Sequence, residues 1–160
     1  MKEYAVILLV LLSVSCGSTE NKTVQSEPYT GEISAAQLLT DYVYFREIYD
    51  LYQPSKKELN AAKSLSGKSI LVLFGTWCHD SEREIPRLLK LLDSADVKLE
   101  SLSLHGVNYH KQDPKNLHRK FGIRYTPTII LLEGEQELGR IVEKPVQSLG
   151  EDLAGLVQKN

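Results

Sequence analysis

Ser69-Ile70-Leu71-Val72-Leu73-Phe74-Gly75-Thr76-Trp77-Cys78-His79-Asp80-Ser81 is the stretch on which the fold turns. Its opening, Ser69 to Phe74, is a short apolar run rich in β-formers, as a central strand covered on both faces requires. From Cys78 the pattern changes to helical spacing. Ile85, Leu88, Leu89, Leu91 and Leu92 supply one buried side as far as about Asp93. Asp80, Glu82 and Glu84 crowd the first turn, where negative charge suits the helix dipole. Pro86 lies inside this helix and is expected to kink it. Cys78 therefore stands where a strand hands over to a helix, facing unpaired backbone N–H groups that favour a thiolate. Trp77 beside it offers a flat apolar surface to a partner chain.

Downstream, Val97 to Leu104 reads as a second strand. Asp113 caps a short helix carrying Leu117 and Phe121, which Gly122 ends. Ile123 to Leu132 and Glu137 to Val142 form a strand pair joined across a turn-rich connection, Glu133 to Gln136. Val146 to Gln158 is a terminal helix weakened by Gly150 and Gly155. The order is βαβαββα: an α/β fold with a mixed sheet and helices on its faces.

Upstream, Ile33 to Leu51 has helical character, with Ser34 able to cap and Gln37 three residues later. Its aromatics Tyr42, Tyr44, Phe45, Tyr49 and Tyr52 read as a packing face against the sheet. Pro54 breaks the pattern. Ser55 and Glu58 make a capping box for a short helix that Gly67 closes. Gly17 to Gly31 is polar and reads as a flexible tether. Ala5 to Ser15 is almost wholly apolar, too short to span a bilayer of roughly 30 Å but suited to a signal-peptide core. The divisions expected are a signal peptide (1–15), a tether (16–32), a helical extension (33–67) and a main domain (68–160).

Three ordered segments then resemble the thioredoxin superfamily. Phe74 to Ser81 is similar to its active-site segment, and Pro86, eight residues after the cysteine, stands where that family has its helix-kinking proline. Phe121-Gly122-Ile123-Arg124-Tyr125-Thr126-Pro127-Thr128 is similar to the segment ending in a cis-proline, and Gly134 to the glycine of the final hairpin. The resemblance covers about half the chain and implies a thioredoxin-like fold with an N-terminal helical extension. It also implies that Pro127 is cis and lies against the cysteine, and that Thr126 pairs its backbone with a bound peptide. Two departures accompany it. Ser81 replaces the second cysteine, so the Cys-His-Asp-Ser site is monothiol and cannot cycle between dithiol and disulfide by itself. Val72 occupies the position, six before the cysteine, where the family often has a polar or acidic helper. Ser13-Val14-Ser15-Cys16 resembles a bacterial lipoprotein signal, with Ser13 in place of the usual Leu. That resemblance implies export, Cys16 as a lipidated N-terminus, and an envelope or periplasmic location on a bacterial membrane.

The chain has two cysteines, so lipidation of Cys16 would leave Cys78 as the only free thiol. Protonated His79 would help hold a Cys78 thiolate, while Asp80 and Glu84 act against it. Ser81 could hydrogen-bond that thiolate. His105, His110 and His118 are spaced irregularly, unlike a zinc site, and no metal or cofactor is expected. With 42% hydrophobic residues and a net charge of -2, nothing in the composition calls for a nucleic-acid partner. The expected activity is thiol–disulfide exchange through Cys78, with protein thiols or disulfides as partners and an external thiol for resolution. The alternative is a non-catalytic binding or chaperone-like module. A third reading, resembling monothiol glutaredoxins that use glutathione, suits Trp77 and the early Pro86 less well.

Overall fold

The computed structural model describes residues 27–159. The signal-peptide and Cys16 expectations, and most of the tether, lie outside the described residues. A strand β1 (Gly31–Ile33) leads to helices α1 (Ala35–Asp41), α2 (Val43–Leu51) and α3 (Lys56–Ala62), the last continuing as a 3-10 turn over Lys63–Leu65. Then come β2 (Ser69–Phe74), α4 (His79–Ser94), β3 (Ser101–Gly106), α5 (Leu117–Lys120), β4 (Thr128–Glu133), β5 (Gln136–Val142) and α6 (Leu149–Gln158). From β2 onward this is the βαβαββα order that the periodicity predicts.

The strands form one sheet in the order β1-β3-β2-β4-β5. β2 runs parallel to β3 and antiparallel to β4, while β1–β3 and β4–β5 are antiparallel. Buried on both faces, β2 sorts its side chains by the two-residue period of a strand. Ile70, Val72 and Phe74 enter the larger core beneath α1–α4 and α6, and Leu71 and Leu73 enter a smaller one beside α5. α4 delivers Ile85, Leu88, Leu89, Leu91 and Leu92 to the larger core, as its spacing requires. It continues through buried Pro86, which cannot donate to the Glu82 carbonyl one turn back.

Several boundaries differ from expectation. β1 occupies Gly31–Ile33, where the sequence reads as tether end and helix start. The expected helix from Ile33 to Leu51 divides at Tyr42, an extended residue (φ -121, ψ 97) that closes α1 and opens α2 with no Gly or Pro nearby. β3 begins at Ser101 rather than Val97, because residues before it bond across a loop: Gly67 N–H donates to the Lys98 carbonyl and Glu100 N–H to that of Lys68. β4 begins at Thr128 rather than Ile123, after the cis peptide between Thr126 and Pro127. The Ser55–Glu58 capping box forms with both its bonds. Phe45 is buried edge-on to Phe74, and Tyr42 packs edge-on to Phe45. Tyr44 departs from the expected packing face, being 65% exposed. No helix among the described residues is long and apolar enough to cross a membrane.

Candidate active site

Cys78 is the N-cap of α4, held by its own N–H to the Gly75 carbonyl (3.0 Å) and by its carbonyl accepting from Glu82 N–H (2.9 Å). The turn that lifts the chain off β2 needs a glycine. A Cβ on Gly75 would lie 2.7 Å from Cε2 of Trp77, whose indole covers that backbone. Trp77 is fixed from two further directions: its Nε1 donates to the Val107 carbonyl (3.1 Å), and its ring meets Tyr109 at 5.1 Å.

The Cys78 thiol is partly exposed and donates to the Thr126 carbonyl at 3.1 Å. Thr126 is buried, and the cis bond to Pro127 follows it directly. The loop is tied down by Thr128, whose hydroxyl donates to the Tyr125 carbonyl (2.8 Å). The pairs Trp77-Cys78 and Thr126-Pro127, 48 residues apart at the Cys78–Thr126 contact, are thus brought together at one end of the sheet. Tyr109, whose ring meets Trp77, and Tyr125, next to Thr126 in the chain, are 45% and 54% exposed. No motif in the sequence marks either as a site residue. Their signal was adjacency to Thr126 for Tyr125, and for Tyr109 only a position two residues past buried Val107.

Ser81 and His79, both on the first turn of α4, lie in opposite environments. Ser81 is fully buried and its Oγ accepts from Gly75 N–H (3.2 Å), so the hydroxyl braces the turn. His79 points outward: its side chain is 90% exposed, with Nδ1 at 3.6 Å from Glu82. Val72 is buried among apolar side chains. α4 carries a buried acid, Glu84. It accepts from Arg83 (2.6 Å), while its Oε2 has no partner. Arg83 also meets Asp80 (2.7 Å), and Glu84 first, with Asp80 after it, pushes the guanidinium further up from its ordinary value.

The histidines stay apart. His105 is buried in β3. His118 is mostly covered, its Nδ1 2.6 Å from Asp113. Asp113 also accepts from Lys115 and His118 N–H, tightening the turn before α5. Among the described residues no three His, Cys, Asp or Glu side chains converge as metal ligands.

Neither protein-family models nor curated proteins yield a match to this chain. Solved structures do. An HIV epitope scaffold is 18% identical with a TM-score of 0.49, over 81% of this chain and 89% of that one. A protein of unknown function from Pseudomonas aeruginosa is 16% identical with a TM-score of 0.49, over 79% and 94%. Thioredoxin 2 from the same organism, in its reduced form, is 22% identical with a TM-score of 0.41, over 68% and 93%. These are likenesses of chain path, and strand order, strand direction and connections carry the assignment themselves. The described residues form a thioredoxin-like fold: a mixed five-stranded sheet flanked by helices.

Proposed function

We propose that the protein exchanges thiols and disulfides through Cys78 alone. The observation that carries this reading is the partly exposed Cys78 Sγ beside the Thr126 carbonyl, together with the adjoining rings of Trp77 and Tyr109 and the exposed Tyr125. An extended disulfide-bearing segment of a partner would lie along the Thr126 backbone. The thiolate of Cys78 attacks one sulfur of the partner's disulfide, forming a mixed disulfide and expelling the other sulfur as a thiolate. An external thiol, deprotonated, attacks the mixed disulfide, joins the partner's sulfur and expels Cys78 as thiolate. One disulfide is consumed and one formed, with no net electron transfer to Cys78. Trp77, Thr126 and Pro127 bind and orient the partner, and Ser81 supports the turn.

The test is adduct trapping with full chain and with Cys78→Ala. Covalent partner adducts, released by reductant and absent from the variant, are expected. Cys78 should also react with small alkylating agents without denaturant, and labelling only after unfolding would end the catalytic reading. A second reading, binding without turnover, is favoured by the burial of Ser81 and its bond to Gly75. Partners that stay bound to Cys78→Ala would select it.

The proposed setting is the envelope or periplasm of a bacterium, with the chain exported and anchored through lipid on Cys16. The apolar run before Ser15-Cys16 supports this. Mass spectrometry should find Cys16 as a lipid-bearing N-terminus, and an unmodified Cys16 would remove the anchor while leaving export open.

A further inference from the structure

β3 presents a polar stripe on a face that a strand inside a sheet ordinarily gives to the core. Leu102 and Leu104 turn to the larger core, so Ser101, Ser103 and His105, alternating with them, line the opposite face. Beside α5 that face opens into a cleft of about 290 Å³, whose walls include Leu132 of β4 and Phe121. The volume is at the small end for a ligand site.

His105 is 3% exposed and its Nδ1 has no hydrogen-bond partner. Leaving a buried polar atom unpaired costs about 1–3 kcal/mol, which an aliphatic residue here would avoid. Three ionisable groups face the ring. Glu32 stands directly across from it on β1, Lys115 ion-pairs with Glu32 at 2.6 Å, and Asp113 is committed to His118 and its own turn. Burial, outweighing Glu32 and Asp113, pushes the imidazole below its ordinary value, leaving a neutral ring with one donor and one acceptor. Lys120 lies at the rim, its ammonium 5.3 Å from the Phe121 ring centre, and has no ion-pair partner among the described residues. With Glu32 cancelled by Lys115, the cleft retains the positive charge of Lys120. Ammonium groups and hydroxyls are a poor donor set for a metal ion and a good one for an organic acid.

We propose that this cleft binds a small organic molecule carrying one carboxylate. The carboxylate meets Lys120, polar atoms meet the hydroxyls of Ser101 and Ser103 and the His105 ring, and the apolar body lies against Phe121 and Leu132. The cleft runs from Ser101, which pairs with Ser69 at the start of β2, to His105, which pairs with Leu73 toward its end, and Cys78 is not among the residues that line it.

The test is titration of the full chain with benzoate and isobutyrate, followed through amide and imidazole nitrogen shifts. Benzylamine and benzyl alcohol serve as controls of opposite and zero charge. Both carboxylates should give saturable shifts at Ser101–His105, Phe121 and the His105 ring, and benzylamine should give none. Lys120→Gln should weaken carboxylate binding about tenfold, the loss of one charge-assisted contact. Cys78→Ser should leave it unchanged, and a hydroxyl added to the benzoate ring should tighten binding in the parent but not in Ser103→Ala. These positions are chosen because replacing the buried ring risks the fold. Absence of saturable shifts with both carboxylates, an equal response to benzylamine, or full affinity in Lys120→Gln would overturn the proposal.

Discussion

At Gly75 the site has least room. Gly75→Ala must displace the indole of Trp77 or break its bond to Val107, since the new carbon would sit 2.7 Å from the ring. We expect a loss of about 1–3 kcal/mol, in the range for overpacking. Trp77 is the chain's one tryptophan, so its emission reports the site directly during denaturation. An unchanged midpoint and spectrum would mean the indole is not seated over this turn. Ser81 gives a second test. Ser81→Ala leaves a buried Gly75 N–H without its acceptor, at a cost of about 1–3 kcal/mol by denaturant unfolding. Ser81→Cys places a second sulfur at the same corner and should raise turnover in a disulfide-reduction assay, by making release intramolecular. Robust turnover by the unmodified chain without added thiol would contradict the proposed monothiol chemistry. The sequence supports placing Cys78 at the corner, because an apolar run and a helical period meet there. It does not disclose that the hydroxyl of Ser81 faces Gly75, which depends on how tightly the turn closes.

At the scale of elements, carboxylates accept backbone bonds near the starts of two short helices, Glu58 in the capping box of α3 and Asp113 ahead of α5. The N-cap of α5, Asn116, makes no side-chain capping bond of its own. Burial raises the Glu58 carboxyl, but bonds from Tyr52 and Ser55 outweigh it and hold it below its ordinary value of 4.5. Burial likewise raises Asp113, and bonds from His118, Leu117 and Lys115 bring it below 3.8. Both folded-state values are depressed. Their stabilisation is therefore complete above the ordinary values and is lost as pH falls through the lowered ones. Stability should decline in acid below about pH 4.5, and Glu58→Gln and Asp113→Asn should each flatten that decline. Urea midpoints across this range decide it, and parallel slopes in variants and parent would refute it. Ser55→Ala should cost about 1 kcal/mol, the usual worth of such a cap. The capping box was legible because both its residues are local. β1 and the break at Tyr42 were not, because three residues against an edge and one extended tyrosine leave no periodic trace.

At the scale of the molecule, the helices before β2 belong to the main core. Phe45 of α2 is packed edge-on to Phe74 of the central strand, and Leu38 of α1 joins the same cluster. Tyr49 reaches across to Asp93 of α4 (2.6 Å), and that bond, followed by burial, pushes the phenol up to about 12. Phe45→Ala should cost about 3–5 kcal/mol, read from thermal or denaturant unfolding. A cost below 1 kcal/mol would mean that the early helices sit on the domain without supporting it. The sheet's connections were legible because each strand and helix has its own period. The attachment of α1 and α2 was not, because it rests on contacts between residues about thirty apart.

The partnering of β1 has a consequence for reach. Gly31 pairs with Gly106, and Gly106 also pairs with Phe74, the last residue of β2, three before Trp77 and four before Cys78. Strands lie about 4.8 Å apart, so the chain joins the sheet roughly 10 Å from the base of the reactive corner. Whatever holds the preceding residues therefore holds the protein by its working end. Tyr29 already packs against the core, so under the proposed attachment at Cys16 the chain from there to Tyr29 spans at most about 47 Å. Partners within that leash would meet the thiol in the gap between domain and surface, and lengthening the segment between residues 17 and 26 should widen the set of partners trapped.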